Sequence, residues 1–449
     1  MTTAAPLSDA YINDRRHVFH SWSAQGSLNP IVVAGAEGSW FWDENGKRYL
    51  DFASQLVNIN IGHQHPKLVA AIQEQAATLC TIAPFHANAA RSEAARMIAE
   101  LAPGDLDMVF FTNGGAEATD NAIRMARIHT GRHKVLSTYR SYHGATGGAI
   151  AVTGDPRRWP NETGVSGVVH FWGPYTYRSA FHAHDDQEEC ERALTHLRDT
   201  IMVEGPQTIA CIILETVVGT NGILIPPPGY LGGVRQICDE FGIVYIADEV
   251  MAGFGRCGEW FAVDHWRVTP DLITWAKGSN SGYLPIGGVV ISQKIADTFK
   301  DRQYPGGLTY SGHVLACASV VASINIFKEE GIIEHARMLG TDVIGPALTK
   351  LQENHPSIGE VRGLGVFWAL DMVTNRETRA PLVPYNASGA DAQPMNELAA
   401  ACKEKGLWPF THFNRIHVVP PINTPVDEVL QGIAILDEVL DLADARYTG

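Results

Sequence analysis

Cysteines are few in this chain of 449 residues, and they are not clustered. The seven cysteines are scattered along the sequence and form no C-x-x-C pair. Disulfide frameworks and zinc sites both rely on closely or regularly spaced cysteines. We therefore expect reduced thiols, as in a cytoplasmic enzyme, and no metal site.

Long apolar runs and an excess of basic residues are also absent. No segment approaches the about 20 apolar residues of a membrane helix, and the N-terminal stretch MTTAAPLSDAYINDRRHVFHSW has no apolar signal core. The formal net charge is −15, from 34 Lys and Arg against 49 Asp and Glu. Such a balance disfavours nonspecific binding to nucleic acid. We expect a cytoplasmic protein with neither a membrane nor a nucleic-acid partner.

The middle of the chain contains short apolar runs that alternate with helical patterns. Strands buried on both faces of a parallel sheet are typically continuously apolar. Alternation of such strands with helices predicts an α/β domain around a mostly parallel sheet. The predicted strands are 108–112, 134–137, 209–215, 243–247, 272–276 and 288–292.

The two ends of the chain have a different pattern. Residues 31–52 predict a β-hairpin that turns at Asn45 and Gly46. Residues 355–373 are again strand-like, and the chain finishes with a helical pattern. We expect these ends to form a second, smaller α+β domain. The predicted division is 1–65 (N-terminal segment of the small domain), 66–325 (large domain) and 326–449 (C-terminal part of the small domain).

One predicted loop, 154–190, is longer than connections in compact domains usually are. It is rich in Pro, His, Trp and Asp, and we expect it to cover a site. His182 and His184 lie in it, but their spacing alone does not indicate a metal. The pair His63 and His65 is interpreted as a turn leading into a helix, because a proline follows and proline favours the first helical position.

Polar residues follow three of the predicted strands, where a plain core would avoid them. Glu215, Asp248 and Lys277 each stand at a strand end, and ligands of open α/β sheets bind at the carboxyl ends of strands. Lys277 has two interpretations: it extends to water, or it is buried so that its neutral amine can act as a nucleophile. The Gly-rich turn at 113–116 opens a helix, which is a seat for phosphate.

Together these features fit one cofactor, pyridoxal 5'-phosphate (PLP). A nucleophilic lysine can hold the PLP aldehyde as an imine, and an acid can pair with the protonated pyridine nitrogen. The N-terminus of a helix can bind the phosphate. The sequence therefore predicts a PLP site between Asp248, Lys277 and the 113–116 turn.

The segment ADEVMAGFGRCGEWFAVDHWRVTPDLITWAKG, residues 247–278, resembles the class III (subgroup II) aminotransferases of the fold-type-I PLP superfamily. The resemblance extends over nearly the whole chain. It implies that Asp248 pairs with the ring nitrogen and that Lys277 is the catalytic imine lysine. It further implies that the cofactor is contacted by Gly115, Ala116, Tyr142, His143, Glu215, Val250 and Thr309.

The resemblance also gives these positions particular roles. Tyr142 stacks on one face of the ring and Val250 packs on the other. Thr309 reaches the phosphate bound by a neighbouring subunit, which implies a homodimer, or a tetramer built from it, with shared active sites. The residues alone leave alternatives open: Asp248 could cap a helix, Tyr142 could be packing, and Thr309 could be a turn residue. Arg256 could contribute to the site, but for this residue we expect a structural ion pair.

The substrate pocket departs from the family pattern. His417 stands where many relatives have an arginine that grips a carboxylate, and Arg415, on the same face of a strand, could replace it. Met251 stands where relatives that favour glutamate often have glutamine. Met251 therefore favours a pyruvate-using ω-aminotransferase. The segments FASQLVNINIGHQHP and GLTYSGH resemble taurine–pyruvate and related ω-amino-acid enzymes, which implies taurine, β-alanine, 4-aminobutyrate or amines as donors. The expected pocket walls are Leu56, Val57, Phe85 and Tyr142.

The expected reaction is transfer of an amino group from such a donor to a 2-oxo acid such as pyruvate, with Lys277 moving the proton. An aminomutase or a decarboxylase on the same scaffold is an alternative. A binding protein that has lost the chemistry is another, although the presence of both Lys277 and Asp248 argues against it.

Overall fold

The computed structural model describes residues 8–161 and 166–449. Residues 1–7, part of the N-terminal stretch, and residues 162–165, part of the predicted covering loop, lie outside the described residues. The strands are β1 Val33–Glu37, β2 Trp40–Asp43, β3 Arg48–Asp51, β4 Leu106–Thr112, β5 Lys134–Thr138, β6 Val168–Phe171, β7 Ile209–Glu215, β8 Val244–Asp248, β9 Leu272–Trp275, β10 Gly287–Ser292, β11 Ile358–Leu364, β12 Phe367–Asn375, β13 Ala380–Pro381, β14 Leu407–Trp408, β15 Phe410–His412 and β16 Arg415–Val418.

Helices lie between most of these strands. They are α1 Asp9–His17, α2 Ser54–Val57, α3 Pro66–Thr78, α4 Ala89–Leu101, α5 Gly115–Thr130, α6 Gly147–Val152, α7 Asp186–Glu204, α8 Tyr230–Phe241, α9 Gln293–Asp297, α10 Val314–Glu329, α11 Ile332–Met338, α12 Gly345–Asn354, α13 Gln393–Glu404 and α14 Val426–Asp444. None of the helices in the described part of the chain has the length and apolarity that a bilayer crossing requires.

The largest sheet has seven strands in the order β4-β10-β9-β8-β7-β5-β6. The pairs among β9, β8, β7, β5 and β6 are parallel, whereas β10 is antiparallel to both of its neighbours. The predicted mostly parallel sheet and its six predicted strands are confirmed. Strand β6 was not predicted, because it lies within the segment interpreted as a covering loop.

The strands of this sheet are buried on both faces, which explains their continuous apolar character. Ile212 belongs to a core cluster that includes side chains of α4, α7, α8 and α10. Its neighbour Ile213 belongs to a separate cluster that includes side chains of α5. Successive residues of a strand point to opposite faces, so each face needs its own apolar set. The large domain therefore has three layers, with the sheet in the middle.

Both ends of the chain contribute to the remaining sheets. The β1-β2-β3-β14 sheet pairs the N-terminal hairpin with a C-terminal strand, since Leu407 of β14 stands opposite Leu50 of β3. The hairpin turn is at Gly46, which has a positive φ of 81°, as the Asn-Gly pattern predicts. The third sheet has the order β11-β12-β16-β15. The prediction of a smaller α+β region made from both chain ends is confirmed.

Candidate active site

The carboxyl ends of the central strands meet at one cavity of about 400 Å³. In the register of the sheet, Asp248 stands beside Glu215 on one side and Thr274 on the other. The cavity brings together eight residues predicted from the sequence: Leu56, Gly115, Ala116, Tyr142, His143, Asp248, Val250 and Lys277. The rest of its lining is Asn58, Asn113, Gly114, Gly144, Ala145, Ala276, Asn280, Gly282, Leu284, Pro285 and Ile286.

Asp248 is buried, and both of its carboxylate oxygens have partners. Oδ2 lies 2.7 Å from His143 Nδ1. Oδ1 accepts hydrogen bonds from the Val250 amide at 3.0 Å and from Thr274 Oγ1 at 3.1 Å. The other nitrogen of His143, Nε2, lies 3.2 Å from Ser137 Oγ. These contacts fix the orientation of a carboxylate at the cavity wall, and none of them makes Asp248 a helix cap.

Lys277 follows β9 and projects into the same cavity, where it is partly buried. Its amine forms no hydrogen bond or ion pair with any residue that the structure describes. Burial lowers the pKa of Lys277, and the nearby carboxylates of Asp248 and Glu215 only partly oppose this. The backbone of Lys277 has a φ of +37°, which is rare outside glycine. The structure thus favours the interpretation of Lys277 as a nucleophile over that of a solvated lysine.

The N-terminus of α5 forms another wall of the cavity. The helix begins at Gly115 without a side-chain cap, so the first amide N–H groups have no intrahelical partner. A Cβ atom at Gly115 would lie 2.8 Å from Val250 Cγ1, too close for any residue but glycine. This wall offers exposed backbone donors and the positive end of a helix dipole to an anion.

Tyr142 and Glu215 are linked at the edge of the cavity. The Tyr142 amide donates to Glu215 Oε1 at 2.9 Å, and the Gly219 amide donates to Oε2 at 2.8 Å. Burial raises the pKa of Glu215 to about 7, an effect that the nearby His143 partly opposes. Glu215 does not itself line the cavity, but it positions the backbone of Tyr142, which does.

Arg157 and Asp155 were not predicted as site residues, yet they lie beside Tyr142. The Arg157 guanidinium stacks over the Tyr142 ring, with its central carbon 3.6 Å from the ring centroid. Arg157 Nε donates to the buried Asp155 carboxylate at 2.9 Å, which also accepts from Asn221 Nδ2 at 3.2 Å. Both residues belong to the predicted covering loop, and its unusual length was the one sequence signal that could have pointed to them.

Five other predicted residues do not line this cavity in the single chain, namely Val57, Phe85, Thr309, Arg415 and His417. Val57 is buried in an apolar cluster with Val217 and Phe367. Phe85 is 83% exposed and lines a separate hollow. Thr309 is exposed in a turn, outside the cavity lining of its own chain. Their roles in binding stay predictions.

Arg415 and His417 are both buried in β16 and point away from solvent. Arg415 Nε has no hydrogen-bond partner among the described residues, and burial lowers the pKa of its guanidinium to about 10. Both ring nitrogens of His417 also lack partners there, and its ring packs 4.7 Å from that of Phe410. Burial lowers the pKa of His417, so this ring is neutral and a poor ligand for a carboxylate. Of the two, only Arg415 is suited to an anion.

The predicted ion pair of Arg256 is wrong. No carboxylate lies within ion-pair distance of it in the described residues, and its guanidinium donates instead to two carbonyls, a hydroxyl and a side-chain amide. The prediction for the histidine pair is confirmed, since His65 precedes Pro66 at the start of α3. His63 Nε2 lies 2.9 Å from a buried carboxylate, that of Asp51.

Comparison with known proteins gives consistent results. Residues 22–440 match the sequence model of the family described as aminotransferase class-III. The chain is 36% identical to the uncharacterized aminotransferase YhxA of Bacillus subtilis (strain 168), over 88% of this chain and 86% of that protein. It is 33% identical to the 5-aminovalerate aminotransferase DavT of Pseudomonas aeruginosa, over 93% and 95% of the two chains.

Solved structures of this kind are also closely similar. The structure of the taurine:2-oxoglutarate aminotransferase from Bifidobacterium kashiwanohense, in complex with PLP and glutamate, superposes with a TM-score of 0.94. It is 40% identical and covers 98% of this chain and 99% of its own. An (S)-enantioselective omega-transaminase from Thermomicrobium roseum superposes with a TM-score of 0.90 at 34% identity, over 97% and 98% of the two chains.

Proposed function

Since the chain belongs to the class-III aminotransferases, which use PLP, we propose that it transfers the amino group of an ω-amino acid or amine to a 2-oxo acid such as pyruvate. One observation carries the proposal. The amine of Lys277, the carboxylate of Asp248 and the uncapped start of α5 all face one cavity of about 400 Å³.

The residues present fit PLP. Lys277 is the unpaired amine to which its aldehyde would bond, and Asp248 is the oriented carboxylate for its ring nitrogen. The amides of Gly115 and Ala116 would receive the phosphate, and Val250 stands against Gly115, where it would limit one face of the ring. When bound, PLP supplies an electron sink for the bonds to the substrate carbon.

Lys277 is also suited to move the proton of the reaction. Its amine has no hydrogen-bond or ion-pair partner among the described residues, and its lowered pKa raises the fraction of neutral base near neutral pH. The hydrogen bonds that hold Asp248 keep its carboxylate within the same cavity, where it contributes to the field around the amine. The positions of Lys277 and Asp248 at one cavity support these roles as general base and electrostatic partner.

Positively charged groups near the cavity support a substrate with an acidic end. Arg157 is held over Tyr142 at the cavity wall. Arg415 does not line this cavity, but it is a second candidate from the sequence, because it is buried without an ion-pair partner among the described residues. Guanidinium groups bind carboxylates and sulfonates through paired hydrogen bonds. The similarity to a taurine:2-oxoglutarate aminotransferase supports the same substrate class and makes 2-oxoglutarate the alternative acceptor.

We propose that the active enzyme is a cytoplasmic homodimer that shares its active sites between subunits. Phe85 is 83% and Tyr310 61% exposed. Tyr310 and the cavity residue Asn113 line a common hollow. Thr309 is exposed next to Tyr310, where it is available to a second subunit. The seven cysteines are all free, which agrees with a reducing compartment.

A substrate panel tests this proposal. Taurine, β-alanine, 4-aminobutyrate and an amine without an acidic group are each paired with pyruvate and with 2-oxoglutarate. We expect turnover to require a 2-oxo acid and to be fastest with an ω-amino acid and pyruvate. Turnover without any 2-oxo acid would instead indicate an aminomutase or a decarboxylase. A visible absorption band that no amine changes would indicate a binding protein.

The variant Arg157→Met sharpens the test. We expect it to raise KM for the acidic donors about tenfold, as the loss of a charged hydrogen bond implies. The KM for the amine without an acidic group should stay unchanged. The control is Arg198→Met, which removes an exposed arginine paired with Glu240 on the helices α7 and α8. Equal effects of Arg157→Met on all donors would contradict the role of Arg157.

A further inference from the structure

We infer that Arg256 is a positioning residue of the active site, which holds both the turn that carries Leu56 and the loop that carries Lys277. The inference rests on the proposed function, because it takes Lys277 as the amine that bonds the cofactor. Arg256 does not reach the cavity itself. It acts through Ser54 and Asn60, which connect it to two different walls.

The guanidinium of Arg256 is fully buried and ties together three separate parts of the chain. Nη1 donates to the carbonyls of Val366 at 3.0 Å and Pro420 at 2.6 Å, in the C-terminal part. Nη2 donates to Ser54 Oγ at 3.2 Å and to Asn60 Oδ1 at 2.8 Å, in the N-terminal part. One side chain of the large domain therefore fixes the segments that both chain ends bring to the site.

Asn60 transmits this constraint to the catalytic loop. Its Nδ2 donates to the Phe254 carbonyl at 2.7 Å. The same nitrogen would lie 2.2 Å from a Cβ atom at Gly278, so the amide of Asn60 packs directly against the backbone of Gly278. Gly278 is the residue next to Lys277, whose φ of +37° is unfavourable. Such a conformation persists only where the surroundings enforce it, and Asn60 is part of those surroundings.

Ser54 transmits the constraint to the opposite wall. It begins a short turn in which Ser54, Gln55 and Val57 have positive φ angles of 43°, 58° and 58°. Ser54 Oγ accepts from Arg256 and donates to the Val419 carbonyl at 2.7 Å. This turn presents Leu56 to the cavity. Three positive φ angles among four residues need external support, and Arg256 supplies part of it.

The chemistry of Arg256 is unusual for a residue that serves stability alone. It has no acidic partner in the described residues, and burial lowers the pKa of its guanidinium to about 9. An apolar residue is often the more stabilising choice for such a position. The planar fork of arginine, however, can donate in several directions at once. Arg256 needs this geometry, because its guanidinium donates to the N-terminal and the C-terminal segments at the same time.

The test compares Arg256→Met and Arg256→Lys with Arg132→Met in the enzyme loaded with PLP. Arg132 is a matched control, since its guanidinium also donates to main-chain carbonyls, namely those of Pro206, Ile209, Phe241 and Gly242, at the far end of the sheet. We expect Arg256→Met to lower kcat about tenfold or more with a smaller change in KM. We also expect it to move the pH midpoint of the visible cofactor band, because the field around Lys277 changes.

Two further measurements separate positioning from general stability. Amide hydrogen exchange of residues 53–61 is expected to accelerate in Arg256→Met, with or without cofactor, and to stay unchanged in Arg132→Met. Arg256→Lys is expected to restore part of kcat. If Arg256→Met does not fold, Asn60→Ala takes its place, because it removes the contact with Gly278 and leaves the guanidinium.

The outcomes distinguish this inference from the proposed function. Lys277→Ala protein that keeps wild-type turnover would overturn the proposed function. Lys277→Ala protein that loses turnover, together with Arg256 and Asn60 variants that keep the wild-type band midpoint, kcat and exchange of residues 53–61, would overturn the role of Arg256 alone.

Discussion

The two edges of the central sheet differ in the partners that they give to charged side chains. At the edge where the parallel strands begin, Asp271 accepts from the Tyr245 amide at 2.7 Å and from Arg235 Nη1 at 2.9 Å, and it also pairs with Lys294. At the edge where the strands end, Lys277 has no partner in the described residues. Within the described part of the chain, Glu215 at this edge accepts hydrogen bonds from backbone amides alone.

The difference shows which charges serve the fold and which serve the chemistry. A buried charge destabilises the folded state unless it is paired and hydrogen-bonded. The starting edge meets this requirement within the chain. The finishing edge leaves the Lys277 amine without a partner among the described residues at the wall of a cavity, which favours binding of a ligand that supplies one. Altered pKa values that gather in a cavity are typical of functional sites.

The largest effect is expected from the unpaired amine. Lys277→Ala should lower turnover about 10³-fold, because general acid–base catalysis contributes on this scale. The free energy of unfolding of the cofactor-free protein should not fall, since the amine loses no hydrogen bond or ion pair with the described residues. Steady-state kinetics and urea denaturation measure the two quantities. Lys294→Ala, at the other edge, is the control. Normal turnover in Lys277→Ala would remove the distinction between the edges.

The opposite result is expected from the paired carboxylate. Asp271→Asn leaves Arg235 without its buried partner and should lower the free energy of unfolding by about 3 kcal/mol, as breaking buried ion pairs does. The kcat of the protein that remains folded should be unchanged, because Asp271 is remote from the cavity. Chemical denaturation and active-site titration test this. A fall in kcat with intact stability would show that the starting edge also takes part in the reaction.

The smallest effect concerns pH. Burial raises the pKa of both Glu215 and Glu249 to about 7. The folded protein therefore holds more protons than the unfolded chain between about pH 4.5 and 7. The contribution of these groups to stability is complete at low pH and is lost as the pH rises through this window.

Urea denaturation of the cofactor-free protein at pH 5 and at pH 7.5 measures this effect. Glu249→Gln and Glu215→Gln should each lose less stability between these two pH values than the wild type does. The exposed Glu404 provides the control, Glu404→Gln, with the slope of the wild type. Steeper loss of stability in either buried variant would contradict the sign of the shift.

The central strands and the strand-end residues could be predicted because their pattern is local. Continuous apolar runs identified six strands, and the polar residues after three of them marked the edge where a site could form. The prediction of β6 failed, since four residues within a polar loop carry too little pattern. Contacts between distant segments were also beyond the sequence. Nothing near Arg157 indicates that it stacks on Tyr142, and nothing near Arg256 shows that its partners are carbonyls rather than acids.

The pairing of β3 with β14 has a consequence for the order in which the protein matures. Strand β3 ends at Asp51, whereas its neighbour in the sheet begins at Leu407. A ribosome must therefore synthesise most of the polypeptide before the N-terminal hairpin can pair with β14. The wall that carries Leu56 follows that hairpin, so the nascent enzyme can acquire a complete reaction chamber only near the end of its synthesis.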